Sequence, residues 1–211
     1  GKELESFEAN YADFCGVKNA LGVGNGLDAL RLIFKAYIEL GFIQKGDEVI
    51  VPANTYVASI LAISDNDLIP VFVEPNAETY NLDSNKIEAA ITSKTKAILT
   101  VHLYGQISVN QQMLDVCKKY NLKLVVDNTF SPLSISPNKL GADIVIHSLT
   151  KFINGTSDTI GGVVCGTQEM IDSLRSVIDG AGMLFGSTMD SRPASSILKN
   201  LRTLHIRMKQ H

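Results

Sequence analysis

Two apolar runs constrain this chain more than any other feature. Leu124-Val125-Val126 ends in Asp127-Asn128, and Ile144-Val145-Ile146 ends in His147-Ser148-Leu149-Thr150-Lys151. Runs that are apolar at every position suit strands buried on both faces of a parallel sheet. In such sheets ligands sit outside the carboxyl ends of the strands. Asp127 and Lys151 then face one crevice. A carboxylate and an amine there suit pyridoxal phosphate: the acid keeps the pyridinium nitrogen protonated and the lysine forms the Schiff base. Taken alone, the pair reads equally well as a strand-end acid and a surface lysine. The rest of the chain has to decide.

The remainder repeats the same alternation. Residues 3–15 read as an amphipathic helix with Leu4, Phe7, Tyr11 and Phe14 near helical spacing. A strand at Ala20–Val23 runs into Gly24-Asn25-Gly26-Leu27-Asp28, which opens a helix carrying Leu30, Ile33, Phe34, Tyr37 and Ile38. Further strands are expected at 48–51, 71–73, 97–101, 123–127, 143–147 and 161–166. Further helices are expected from Thr55, as cap, through Ile63, and at 84–92, 109–120, 168–178 and 190–211. Ile171, Leu174 and Val177 share one face of the 168–178 helix, and Arg192-Pro193 falls in the first turn of the last. Short strands alternating with helices predict an α/β fold: a three-layer α/β/α sandwich on a mostly parallel sheet of about seven strands.

Composition closes off several functions. Nineteen basic against 22 acidic side chains leave a net charge of −3, no basis for nucleic-acid or anionic-membrane binding. No apolar run approaches a membrane span, and Lys2, Glu3, Glu5 and Glu8 stand where a signal peptide would be apolar. Cys15, Cys117 and Cys165 show neither metal-ligand nor redox spacing, so free thiols in a reducing cytoplasm are expected. No metal-ligand cluster and no serine or cysteine nucleophile arrangement is recognisable.

Several residues then gather around the acid and the lysine. Gly22-Val23-Gly24-Asn25-Gly26-Leu27 fails the dinucleotide fingerprint at its sixth position, Leu27. Glycines between a strand and a helix still let backbone N–H groups approach an anion, favoured by the helix dipole; a ligand-free glycine turn is the alternative. Tyr56 follows a strand's carboxyl end, where its ring can stack on a cofactor ring or simply pack. Ser148 and Thr150 offer hydroxyls as phosphate donors would. His102 and His147 end strands and read as hydrogen-bonded structural residues.

These residues carry a resemblance in two parts. Residues 3–126 resemble the DegT-type sugar-nucleotide aminotransferases, through Phe14-Cys15-Gly16-Val17, residues 22–30, Gly46-Asp47-Glu48-Val49-Ile50-Val51-Pro52, Asn54-Thr55-Tyr56-Val57-Ala58 and His102-Leu103-Tyr104-Gly105-Gln106. Residues 127–211 resemble the Cys/Met-metabolism enzymes (cystathionine γ-synthase, cystathionine lyases, methionine γ-lyase). There the matching text is Val126-Asp127-Asn128-Thr129, Gly141-Ala142-Asp143, residues 147–155 and residues 201–208. Both families share the aspartate-aminotransferase-like fold (fold type I) and bind pyridoxal phosphate.

The resemblance implies that Lys151 is the Schiff-base lysine and Asp127 the pyridinium partner. It implies that Gly26 and Leu27 give backbone donors to the phosphate, helped by Ser148 and Thr150, and that Tyr56 stacks on the ring. It also marks departures: no glutamine after Asp127, no N-terminal arm with its Tyr and Arg, and no C-terminal domain with its substrate-binding arginine. The chain is therefore expected to be a single cofactor-binding large domain over residues 1–211, a chimera with a seam near residue 127. Two function classes stay open: an enzyme acting on a small-molecule amino group, as aminotransferase or C–S lyase, and a cofactor-fold scaffold without turnover. Weak cofactor binding, little turnover and a homodimer weakened by the missing segments complete the expectations.

Overall fold

A computed structural model describes residues 1–133, 141–175 and 186–211. Its centre is one sheet of seven strands in the order β1-β7-β6-β5-β4-β2-β3. The strands are β1 Asn19–Val23, β2 Glu48–Pro52, β3 Ile69–Val73, β4 Thr95–Val101, β5 Lys123–Asp127, β6 Ile144–Ser148 and β7 Gly162–Gly166. Only β7 is antiparallel to its neighbours. The other six run one way, so their carboxyl ends share one edge.

The uninterrupted apolar runs exist because both faces are covered. Along β5, Leu124 and Val126 join one packed face while Val125 joins the other; along β6, Val145 takes the first and Ile144 and Ile146 the second. The first face receives α1 (Lys2–Cys15), α5 (Gln111–Tyr120), α7 (Ser191–Leu201) and α8 (Leu204–Gln210). The second receives α2 (Gly26–Glu39), α3 (Val57–Ser64) and α6 (Gln168–Arg175). This is the three-layer sandwich expected from the alternation. Strands before and after residue 127 enter the same sheet, β5 pairing β6 in parallel from Val125↔Ile144 to Asp127↔Ile146. Each packed face likewise mixes side chains from both sides of that point.

Three elements differ from expectation. The 84–92 helix is one α-turn, α4 (Ser84–Ile87), followed by a 3₁₀ turn at Glu88–Ala90. The helix from Thr55 begins one residue later, with Tyr56 as N-cap and the Thr55 hydroxyl 3.0 Å from Ser59 Oγ. The 190–211 helix is broken into α7 and α8 at Arg202–Thr203, where the Asn200 carbonyl bonds Thr203 Oγ1 and Arg207. Of the 168–178 helix, positions after Arg175, including Val177, lie outside the described residues. Among the described residues no helix is long and apolar enough to cross a membrane, and no three His, Cys, Asp or Glu side chains are grouped to hold a metal.

Candidate functional site

Asp127 closes β5, and its neighbours dictate its state. It pairs Val101 on one side and Ile146 on the other. Its Oδ1 accepts the Thr129 N–H at 3.0 Å and the Thr129 hydroxyl at 2.5 Å. Thr129 Oγ1 in turn accepts the Ser148 N–H at 2.8 Å. One hydroxyl thus ties the acid to the end of the neighbouring strand. Burial raises the Asp127 carboxyl above its ordinary value, and the two Thr129 hydrogen bonds pull it part of the way back. Among the described residues no cation pairs with Asp127 and its Oδ2 accepts no hydrogen bond. It is a carboxylate with one oxygen committed and one open.

The N-terminus of α2 sits on the ends of β6 and β7, next to the strand that carries Asp127. Asn25 is extended at φ −163° and caps the helix by accepting the Asp28 N–H at 2.9 Å. Its amide also holds the Asp28 carboxylate, Nδ2 to Oδ2 at 2.7 Å. The N–H groups of Gly26 and Leu27 have no acceptor among the described residues, as the first turn of a helix leaves them. A Cβ on Gly26 would stand 2.8 Å from Ser148 Cβ and 3.2 Å from Ser148 Oγ. A Cβ on Gly162 would stand 2.9 Å from Gly26 N and collide with the Asn25 carbonyl. Two glycines therefore let the helix end sit directly on the ends of β6 and β7.

Lys151 lies three residues past Ser148 in a tight turn. Its N–H bonds the Ser148 carbonyl at 3.4 Å, and its own carbonyl accepts the Gly155 N–H at 2.9 Å. Leu149, Ile153 and Asn154 are buried beneath the turn while Lys151 is exposed. Among the described residues its amine has neither hydrogen bond nor ion pair. Thr150 is more committed than the sequence reading allowed: its hydroxyl donates to the Gly161 carbonyl at 3.3 Å and accepts the Gly161 N–H at 3.2 Å. Tyr56 follows β2 on the same sheet edge and is 74 % exposed.

Gly26, Asp127, Ser148, Thr150 and Lys151 thus lie on neighbouring elements, with Leu27 beside Gly26 and Tyr56 further along the edge, beyond β4. Two residues to which the sequence reading gave no site role belong with them. Thr129 follows Asp127 by two, the spacing at which a strand-end acid accepts a backbone N–H. Gly162 opens β7, inside the strand expected at 161–166. His102 and His147 are buried and hydrogen-bonded, as expected: His102 Nδ1 lies 2.8 Å from Ser108 Oγ and His147 Nε2 lies 3.0 Å from Asn128 Nδ2. Burial holds them at about 4 and about 3, neutral at physiological pH.

Comparison with known proteins adds two family matches. The DegT/DnrJ/EryC1/StrS aminotransferase family model matches residues 1–131, and the methionine gamma-lyase model matches residues 71–198. The chain is 56% identical over 127 residues to a dTDP-3-amino-3,6-dideoxy-alpha-D-galactopyranose transaminase of Aneurinibacillus thermoaerophilus, covering 60% of this chain and 34% of the relative. It is 37% identical over 179 residues to a dTDP-3-amino-3,4,6-trideoxy-alpha-D-glucose transaminase of Streptomyces venezuelae, covering 83% and 46%. It therefore spans between a third and a half of the length of these curated relatives. Among solved structures it is similar to S. venezuelae DesV in complex with a ketimine intermediate (TM-score 0.82, 32% identity, 98% of this chain and 58% of that one). It is also similar to NtdA of Bacillus subtilis with bound cofactor PMP (0.85, 28%, 98% and 49%). MetB of Corynebacterium glutamicum has the same fold (0.81, 26%, 98% and 52%).

Proposed function

The chain belongs to the DegT/DnrJ/EryC1/StrS aminotransferase family, with a methionine gamma-lyase match over residues 71–198, and on that premise we propose that it is the cofactor-binding domain of a pyridoxal-phosphate enzyme. We assign its substrate to the sugar nucleotides whose amino groups the most similar relatives are named for transferring. The observation that carries this reading is one sheet edge that brings together the open Asp127 Oδ2 at the end of β5, a helix end with two free N–H groups on β6 and β7, and Lys151.

The residues fit the cofactor group by group. A phosphate dianion suits the N–H groups of Gly26 and Leu27, where the helix dipole favours negative charge and glycine permits close approach. The Ser148 hydroxyl adds a donor there, while the Thr150 hydroxyl holds the turn to Gly161 and gives only what remains. A half-buried acid without a cation suits a pyridinium N–H: such a cation favours the charged form of the Asp127 carboxyl, against the burial that raises it. Tyr56 offers a ring face and Lys151 the amine that holds the aldehyde covalently. When bound, pyridoxal phosphate supplies the electron sink for chemistry at the amino-bearing carbon. The protein's part is to keep the proton on the ring nitrogen through Asp127 and to fix orientation.

Both family matches meet at this site, since Gly26 and Tyr56 lie in residues 1–131 and Lys151 in residues 71–198. We propose that the chain joins two homologous fold-type-I halves near residue 127 into one domain. We place it in the cytoplasm, where its three buried thiols stay reduced, and hold a homodimer as the assembly. The relatives favour an enzyme over a scaffold kept for its folding. Titration with pyridoxal phosphate tests the assignment: a visible band of lysine-bound cofactor is expected in the wild type and absent in Lys151→Ala. An unchanged band in the variant refutes Lys151 as the holding residue.

A further inference from the structure

Arg207 lies beyond both family-model matches, which end at residues 131 and 198. It stands on α8, yet its guanidinium reaches the turn that carries Lys151. Nη1 donates to the Phe152 carbonyl, Nη2 to the Ile153 carbonyl at 2.8 Å and the Asn200 carbonyl at 3.0 Å, and Nε to Thr203 Oγ1 at 3.2 Å. Among the described residues no carboxylate pairs with it. Three of its four acceptors are backbone carbonyls, and two of these belong to the residues directly after Lys151. A planar fork of donors holds several carbonyls at once with little further loss of side-chain freedom, which a lysine's single ammonium cannot do.

The turn is shaped to receive this side chain. Gly155 has φ +74°, and a Cβ there would collide with Arg207 Nη1. The Asn154 N–H bonds the Leu149 carbonyl at 2.9 Å and the Gly155 N–H bonds the Lys151 carbonyl at 2.9 Å, closing the turn on itself. Asn200 at the end of α7 adds a second tie, its Nδ2 donating to Asn154 Oδ1 at 2.8 Å. The break between α7 and α8 is part of the same arrangement, because it turns the Asn200 carbonyl toward Arg207.

We propose that Arg207 is a positioning residue for Lys151: it clamps the turn of residues 148–155 so that the lysine amine stays over the carboxyl ends of β5 and β6. This rests on the reading of Lys151 as the cofactor lysine and deepens it. The amine is exposed and untethered, so its place is set only by where the backbone launches it. Displacement of a reacting group by about an ångström can cost on the order of a hundredfold in rate.

The test compares wild type, Arg207→Ala, Arg207→Lys and Lys151→Ala. Each is treated with pyridoxal phosphate, reduced with borohydride, digested and quantified by mass spectrometry. Label at Lys151 is taken relative to label at the exposed bystanders Lys18 and Lys94. Amide exchange is followed in parallel without cofactor. Arg207→Ala is expected to lower the Lys151 ratio about tenfold and to speed exchange at Asn154 and Gly155 while leaving the amides of β4 and β5 unchanged. Guanidinium ion added to Arg207→Ala is expected to restore part of the ratio, and Arg207→Lys to recover little. An unchanged ratio with unchanged exchange overturns the proposal. So does a uniform rise in exchange across the sheet in both variants, which is loss of stability alone. If wild-type Lys151 is labelled no better than Lys18, the cofactor reading has failed; the exchange at Asn154 and Gly155 then decides by itself whether Arg207 holds the turn.

Discussion

Replacing Thr129 with valine keeps shape and volume and deletes one hydroxyl that serves two partners. The Ser148 N–H loses its acceptor at 2.8 Å, and Asp127 Oδ1 loses a donor at 2.5 Å. A hydrogen bond to a charged acceptor is worth about 1.5–3 kcal/mol, and an orphaned donor costs about 1–3 kcal/mol when fully buried. The Ser148 position is only partly buried, so the lower end applies to it. The sum at neutral pH is about 3 kcal/mol. The pH dependence separates the two contributions. Burial already raises the Asp127 carboxyl, and the lost hydroxyl raises it further. An acid whose folded value is raised costs stability at high pH, and the cost fades as pH falls through the raised value toward the ordinary carboxylate pKa of about 3.9. The Ser148 contribution does not titrate. Urea unfolding of both proteins is therefore expected to show a difference of about 3 kcal/mol at pH 7, shrinking to between 1 and 2, roughly, near pH 4. A difference that is constant with pH refutes the argument that Thr129 supports an ionised Asp127. A difference below about 0.5 kcal/mol at pH 7 refutes the bridge itself.

Three further outcomes follow from the same geometry. Gly26→Ala puts a Cβ 2.8 Å from Ser148 Cβ; it is expected to cost about 1–3 kcal/mol in urea unfolding and to weaken pyridoxal phosphate binding about tenfold or more by spectral titration. Gly162→Ala meets the Asn25 backbone, with no flexible side chain to yield, and is expected to be the worse of the two, at about 3 kcal/mol or more. His102 and His147, held at about 4 and about 3 against 6.5, contribute stability that is complete above 6.5 and is lost as pH falls toward those values. Each is expected to remove about 2 kcal/mol between pH 7 and pH 5, and His147→Gln to flatten that slope by about half in urea titrations; an unchanged slope shows that His147 is not buried neutral.

Sequence patterns carry some of this structure and hide the rest for physical reasons. The inner strands were legible because helices cover both faces, so they run apolar without alternation, whereas β3 at the sheet edge is apolar but largely exposed. The carboxyl-edge placement of Asp127 and Lys151 followed from strand direction alone. The reversal of β7 was not legible, because its glycine-flanked apolar run looks the same in either sense. Thr129 was missed as a bridge because its value depends on Ser148, 19 residues away and on another strand. Gly162 was missed because its need for a hydrogen side chain comes from the Asn25 backbone, far away in sequence. The α7–α8 break was hidden because Leu201, Leu204 and Met208 continue a helical stripe across it. At the break the Asn200 carbonyl accepts from Thr203 and from Arg207, and the reach of Arg207 to the Lys151 turn is a contact that no local propensity records.

The same contacts bear on the join we propose near residue 127. A junction placed inside a strand asks only that backbone pairing continue, and β5 keeps its register with β4 and β6. The harder demand lies between α2, which comes before the join, and the ends of β6 and β7, which come after it. There the two sides approach backbone to side chain at Gly26–Ser148 and backbone to backbone at Asn25–Gly162, with no room for even one methyl group. Apolar faces tolerate exchange of one large side chain for another with repacking, whereas these two approaches admit nothing but glycine. Compatibility of the halves thus turns less on core volume than on two glycines, one from each side. Both sit where the anion-ready helix end must meet the strand that leads to Lys151. A join that preserved the core but lost either glycine would fold around a helix end pushed off its strands, and would surrender the proposed phosphate site before it surrendered the sheet.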